Sequence, residues 1–451
     1  MPEEATIAGQ SAATQDAALA GERRSDGGLA AQIDNRTDAS SRSPEIGAPA
    51  RGRGVGADDL YGTLPIARWA QALLELAPFQ RLASVSLSDV PGALLFRRPF
   101  PSRLAHSRGV YYLARQARPR DRALHAAALA HDLGHGPFSH LTEPLMIERL
   151  GLDHERRSVE LLRLALRQAR GDTARLLAWL DADEVAALML GGGPEGRGAL
   201  LNGALDYDNL DNVARFLKAS RLGEPGYDPR ALARELRLTE QAPGEPAVAL
   251  TTDGAAQAQA WLDDRRRVYR YLCAGERNLA LHGMLRKAVD LAAEAGMIAP
   301  EFFDMTDAET LRLLRYGVSL GAATLAEAAA RDQLYRRVWE TTAPAEGDQF
   351  APLFAQGRSR LALEERIAHE AGLAPHEVVL SYTLARGERA LPPTLAPLPG
   401  RAAPLASASA SPARPSAPER TISLLIAPAA GRDYLRRARM AAERMLGAGS
   451  A

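Results

Sequence analysis

The chain of 451 residues contains a single cysteine, Cys273, so no intrachain disulfide and no cysteine-based zinc site can form within it. Cys273 reads as a small buried apolar residue. Aromatic residues make up only 5%; with alanine and leucine abundant, this favours helix over sheet. Charge of one sign is not in excess. Lys+Arg and Asp+Glu are both 55, a formal net charge of zero, which argues against a strong general affinity for nucleic acid and leaves room only for a local basic patch. No run of about 18 apolar residues occurs, so no membrane span is expected. The stretch from Met1 to about Gly56 lacks the apolar centre of a secretory signal. A cytoplasmic protein is the expectation.

What remains is ample for a packed core: 46% hydrophobic and 24% charged residues. Residues 1–56 are polar and aperiodic and read as a disordered tail. Helical spacing then dominates to about residue 340. It covers Leu64 to Leu76, Ser107 to Arg118, Arg122 to Leu133 with Asp121 as its cap, Ser139 to Leu150, His154 to Gln168, Ala204 to Ser220 and Gln257 to Ala295. Two alternating stretches around Pro243-Gly244 predict a hairpin. Past Thr341 the texture changes. Val378 to Leu384 and Thr421 to Ile426 are β-like, a basic helix spans Arg432 to Leu446, and residues 387–420 form a Pro/Ala/Ser-rich flexible insert. The expected fold is mainly α: a tail over 1–56, a helical core over 57–345, and a small α+β appendage over 346–451.

Histidine is unevenly distributed. Six of the nine histidines fall between His106 and His154, and the run His131-Asp132-Leu133-Gly134-His135-Gly136-Pro137-Phe138-Ser139-His140 holds three of them. Adjacent helical residues point about 100° apart, so an ion over the end of the Arg122–Leu133 helix could meet both His131 and Asp132. His106 is the best upstream candidate for a third ligand. Asp206, Asp208 and Asp211 offer carboxylates downstream. Two imidazoles with carboxylates form a mixed N/O set suited to one divalent cation: manganese, iron, zinc, nickel or magnesium. Such an ion activates water and offsets charge on phosphate. Gly134 and Gly136 permit tight backbone paths beside the pair.

These residues resemble the HD-domain superfamily of metal-dependent phosphohydrolases, in particular the branch containing deoxynucleoside triphosphate triphosphohydrolases. The resemblance extends to Phe79-Gln80-Arg81-Leu82, His154-Glu155, the presumed late core helix at Leu334-Tyr335-Arg336-Arg337-Val338, and the 363–368 and 421–446 segments. It implies an all-helical core and selects His106, His131, Asp132 and Asp208 as metal ligands. It also implies catalytic roles for His135, His154 and Glu155. His135 would give a proton or hydrogen bond to the phosphate or leaving oxygen, and the His154-Glu155 pair would set its protonation. Arg103 and His140 would contact phosphate.

Departures concern the substrate. Where the triphosphohydrolases carry a basic residue, a tyrosine and an aspartate that contact nucleotide, this chain has Asn209, Asn212 and Phe216. Leu87 or a neighbour stands where a sugar-contacting glutamine is expected. Asn212 is kept as a candidate substrate contact. The expectation is a phosphohydrolase of a small phosphate compound, most simply a nucleotide, acting as a homo-oligomer without membrane or nucleic-acid partners. The alternative is a nucleotide-binding regulatory module with weak or lost catalysis.

Overall fold

Leucine and alanine at helical spacing produce the helices that make up most of the computed structural model. It describes residues 57–203, 205–242, 245–344 and 357–384, then 419–447, with 350 and 353. The 1–56 tail, nearly all of the 387–420 insert and the side chain of Cys273 lie outside the described residues.

One helix explains where everything else sits. Arg122–Ala130 is capped by Asp121, whose Oδ1 accepts the amide of Leu124 at 3.0 Å, and every residue from Leu124 to Ala130 is buried. A helix that is apolar all round can only be central. Around it pack Arg103–Ala117 and Ala182–Met189, and Tyr207–Ser220 packs in turn against Arg103–Ala117. Its C-terminal end therefore delivers His131 and Asp132 into the interior of the domain. The helix stops at Ala130, with His131 as its C-cap, three residues short of the expected Leu133.

The expected single helix from Ser139 to Leu150 is broken. A 3-10 turn covers Ser139–Leu141 and the α-helix starts at Glu143. Pro144 lacks an amide hydrogen and its ring clashes with the preceding turn, so it is tolerated only at the start of a helix. Gly275 likewise divides the long helical stretch into Thr252–Ala274 and Glu276–Glu294. The hairpin forms as expected, Leu236–Ala242 against Glu245–Leu250, with Leu236 opposite Leu250.

The late core helix at Leu334 to Val338 is not present. The chain leaves the helix Leu320–Ala330 through Asp332 at φ 62° and enters a strand, Arg336–Pro344. Val338, Trp339, Thr341 and Thr342 suit a pleated surface better than a helix. This strand pairs antiparallel with Glu419–Ile426, which also pairs with Val378–Leu384, so the last strand in sequence is the central one. Being central, it is buried on both faces. Ile422, Leu424 and Ile426 face the helices Gly357–Ala371 and Arg432–Leu446, while Leu425 and Val379 face the Glu276–Glu294 helix. The two-residue period of a strand produces this division.

Gly283 lets that helix lie against the sheet: a β-carbon there would meet Val379 Cγ1 at 3.0 Å and Leu425 Cδ1 at 3.2 Å. Gly283→Leu should overpack this contact and lower stability by about 1–3 kcal/mol. Urea unfolding measures it, and an unchanged midpoint would show that the sheet does not bear on the core there.

Candidate metal centre

The helix Arg103–Ala117 starts at Ser102, whose hydroxyl accepts the amide of Ala105, and this puts His106 in its first turn. The imidazole is fully buried and held at both nitrogens, Nδ1 2.7 Å from Asp211 Oδ1 and Nε2 2.8 Å from Asp208 Oδ1. Asp208 and Asp211 are three residues apart on the helix Tyr207–Ser220, so one face of one helix serves both sides of the ring. Behind them Arg215 donates to Asp211 at 2.7 and 2.8 Å and to Asp58 at 2.9 Å. Gly109 leaves room for this pair, since a β-carbon would lie 2.1 Å from Asp211 Oδ2. Burial opposes a charge on His106, but its hydrogen bonds to the carboxylates of Asp208 and Asp211 outweigh it and raise its pKa to about 9.

His131 Nδ1 lies 3.0 Å from the carbonyl of Ala128, an acceptor, so it carries the proton and Nε2 keeps its lone pair. That Nε2 is buried without a hydrogen-bond partner. Asp132 lies between them, 3.8 Å from His106 Nε2 and 3.5 Å from His131 Nε2. Burial would raise its pKa; Arg103, His131 and His135 hold it well below the usual carboxylate range. The ligand atoms of His106, His131 and Asp132 fall within 4.8 Å of one another, and Asp208 Oδ1 is 3.9 Å from His131 Nε2. The structure thus brings His106, His131, Asp132 and Asp208 together. An orphaned buried imidazole nitrogen beside two carboxylates fits a divalent cation well. Asp206 has a different task. It caps the helix, accepting the amides of Asn209 and Gly203 at 2.7 Å, and burial, with Asp208 nearby, pushes its pKa up to about 8.

Beyond Asp132 the chain makes an irregular turn, with Phe138 and Ser139 at φ 58° and 51°. Distant side chains hold it. Arg81 donates to the carbonyls of Leu133 at 3.0 Å and His135 at 2.5 Å, and Arg157 donates to that of Gly134 at 2.8 Å. Asp307 accepts the amides of Phe138 and Ser86, each at 2.8 Å. A β-carbon on Gly134 would sit 2.0 Å from the carbonyl of His154, so glycine is what lets the helix His154–Gln168 approach.

The remaining candidates are partly redistributed. His135 is buried, stacked on His154 with ring centroids 4.0 Å apart, and its Nε2 lies 3.2 Å from Asp132 Oδ1. His154 pairs with Glu143, Nδ1 to Oε1 at 2.5 Å, whereas Glu155 is 3.6 Å away. Glu143 also holds His140 Nδ1 at 2.8 Å. Arg103 is buried with its guanidinium on Asp132, 3.1 and 3.2 Å from the two oxygens, and on Ser139 at 3.0 Å. Asn212 is half-buried one turn beyond Asp208. Asn209 is tied to Asp206, and Phe216 packs against Phe100 and Phe96. Sequence reasoning gave no role to Glu143, Arg157 or Asp307, and offered Asp211 only as one of three carboxylates for the ion, not as the partner of His106 Nδ1. The three-residue spacings of Glu143 from His140 and of Asp211 from Asp208 were the available signals.

Residues 103–219 match a family model, that of the HD domain. Over this segment the chain is similar to the HD domain. The match begins at Arg103 and ends in the helix that bears Asp208 and Asp211, so it encloses all four candidate ligands. Proteins with HD domains are typically metal-dependent hydrolases. Arg81 and Asp307 brace the turn after Asp132 from outside the matched segment.

Two consequences can be measured. His106 must lose the proton on Nε2 to bind an ion, so uptake near pH 7.5 should release a proton and affinity should climb with pH up to about 9. Calorimetry in buffers of different ionisation enthalpy reads both; affinity flat from pH 7 to 9 would exclude His106 as a ligand. Asp211→Asn, which loosens His106 without removing a ligand, should weaken ion binding roughly 10–100-fold.

Proposed function

We propose that this chain is a metal-dependent phosphohydrolase cleaving a phosphate ester or anhydride, with a nucleotide or deoxynucleotide as substrate. The observation that carries the reading is the four-donor cluster of His106, His131, Asp132 and Asp208 beside a wall of imidazoles from His135, His140 and His154. When bound, the ion supplies an activated water and offsets charge on the phosphate.

The surrounding residues divide the rest of the work. Arg103, fixed against Asp132, borders any phosphate drawn to the centre. His140, with its side chain 40% exposed, forms the outer lip, and Asn212 lies along the helix from Asp208. His154 carries the proton for the leaving oxygen. Burial works against its charge, and Glu143 more than compensates, raising its pKa. His135 is kept neutral by burial, Arg103 and His154, so it serves as a hydrogen-bond partner while the proton resides on its neighbour. Glu155 adds negative charge near His154 from 3.6 Å.

The nucleotide assignment, and the likeness to the triphosphohydrolase branch, rest on the sequence resemblance. Asn209 and Phe216, engaged in a helix cap and an aromatic cluster, supply no matching nucleotide contacts. They favour a second reading, a nucleotide-binding regulatory module with little turnover. A homo-oligomer with the C-terminal appendage at its contact surface belongs to the proposal.

The test is a panel of nucleotides, deoxynucleotides and simple phosphate esters offered to the metal-reconstituted protein, with phosphate and triphosphate release assayed. Turnover is expected, falling to background in Asp132→Ala and Asp208→Ala. No turnover with any divalent ion, or full turnover in Asp132→Ala, overturns the hydrolase. Tight nucleotide binding without hydrolysis, measured by calorimetry, selects the regulatory reading.

A further inference from the structure

A small hairpin far from the ligands in sequence is tied to the metal centre by buried charge. Ala57–Asp58 pairs antiparallel with Gly62–Thr63, and the turn between them closes on Asp58, whose Oδ1 accepts the amides of Leu60 at 2.8 Å and Tyr61 at 3.1 Å. The same carboxylate meets Arg215, 157 residues away, with Nη1 donating to Oδ2 at 2.9 Å. The other edge of that guanidinium serves Asp211, Nε and Nη2 donating to its two oxygens at 2.7 and 2.8 Å. The Arg215 and Asp58 side chains are only 3% and 4% exposed, and the Tyr61 ring centroid lies 5.7 Å from the guanidinium carbon. Asp211 Oδ1 in turn lies 2.7 Å from His106 Nδ1. Two properties of this path bear on the ligand. Arg215 divides its charge between two carboxylates, so Asp211 keeps negative charge for His106; an arginine that served Asp211 alone would make it a poorer acceptor. A good acceptor behind an imidazole makes the ring a better metal ligand. The planar fork of Arg215 also fixes the direction of Asp211, and Asp58 holds that fork from its far edge.

We propose that Asp58 is a positioning residue of the metal centre, acting through Arg215 and Asp211 on His106, so that the 57–63 hairpin and the ion stabilise one another. Asp58 touches no ligand, and it lies outside the segment matched by the HD model. Coupling of this kind is reciprocal: whatever factor the closed hairpin adds to ion affinity, the ion adds to closure of the hairpin. A pair that served only to hold the fold would lower stability when broken and leave the affinity of the folded protein unchanged. The proposal rests on the ion-binding part of the reading above and is independent of phosphate hydrolysis.

The test reads ion affinity and leaves activity aside. The full chain is stripped with a chelator and titrated with manganese or zinc by calorimetry. Asp58→Asn keeps an oxygen for the amides of Leu60 and Tyr61 and removes the charge facing Arg215. It should weaken ion binding roughly 10-fold, the low end for residues that support a ligand. In an Asp211→Asn background the same change should cost less than about 2-fold, because its route to His106 is already cut. Arg215→Lys keeps the charge, loses the fork and should weaken binding at least as much as Asp58→Asn. Hydrogen exchange reads the reciprocal effect in the wild-type chain: the amides of Leu60 and Tyr61 should exchange about 10-fold more slowly once the ion saturates the centre. Equal affinity in wild type and a folded Asp58→Asn, an equal loss with and without Asp211, full affinity in Arg215→Lys, or exchange unchanged by the ion overturns the proposal and leaves the hydrolase reading standing. A wild-type chain that binds no divalent ion overturns both. The exchange measurement needs no variant and decides the question if Asp58→Asn does not fold.

Discussion

The site depends on holding a non-helical turn inside a helical protein. From His131 to Thr142 the chain follows no regular hydrogen-bond ladder, and buried amides and carbonyls must find partners or cost about 1–3 kcal/mol each. The partners are side chains from far along the sequence: Arg81 and Arg157 on three successive carbonyls, Ser158 on the amide of Gly134, and Asp307 on the amide of Phe138. Each bond both satisfies the turn and fixes the direction of His135, Asp132 or His140. The left-handed conformations of Phe138 and Ser139 are strained for residues with a β-carbon and persist only because the surroundings over-determine them. Rigidity in the functional turn is therefore produced by side chains, Arg81, Arg157, Ser158 and Asp307, that have no part in its chemistry.

Charge follows the same logic. The chain is neutral overall, but Asp132, Asp208 and Asp211 crowd around His106 in a low-dielectric interior. Arg215 and Arg103 offset part of that charge from behind, on Asp211 and Asp132. Asp208 faces two imidazoles, His106 at 2.8 Å and His131 at 3.9 Å, and its half-buried carboxylate is left for a cation to compensate further. In this reading the protonated His106 holds, in the free protein, part of the place that a divalent ion takes in the loaded one, which ties ion affinity to pH.

How much of this the sequence revealed depends on the range of the interaction. The helix His154–Gln168 and the 236–250 hairpin were readable because their signals are local: an aspartate cap, a helical period, a Pro-Gly turn. Of the donor cluster, the adjacent His131 and Asp132 stood out in the residues themselves, whereas Asp208 was selected over Asp206 and Asp211 by the family resemblance. Glu143 was not, since its importance arises only when His140 and His154, fourteen residues apart, fold onto one carboxylate. Arg81 was noticed without a role for the same reason: its acceptors lie 52 and 54 residues away. The strand at Arg336–Pro344 was missed although its valine, tryptophan and threonines are good strand formers; its pairing partners are 75 to 90 residues downstream, and the resemblance to a helical core carried more weight than local propensity.

The appendage is joined to the site by the same kind of buried polar contact. Lys287, 2% exposed on the Glu276–Glu294 helix, donates to the carbonyls of Pro375 and Val378 at 2.7 and 2.6 Å and pairs with Glu364 at 2.9 Å. Glu364 accepts the amide of Leu380 in turn, which fixes the sheet to the core helix. One turn along, Arg360 of the appendage meets Asp290, which holds Arg286, and Arg286 donates to the carbonyl of Leu141 beside His140. An unbroken run of charged contacts thus connects the sheet's packing helix to the outer lip of the cleft. Removing one member of such a buried set leaves its partner uncompensated. The α+β unit is thereby tied to the segment that carries His140.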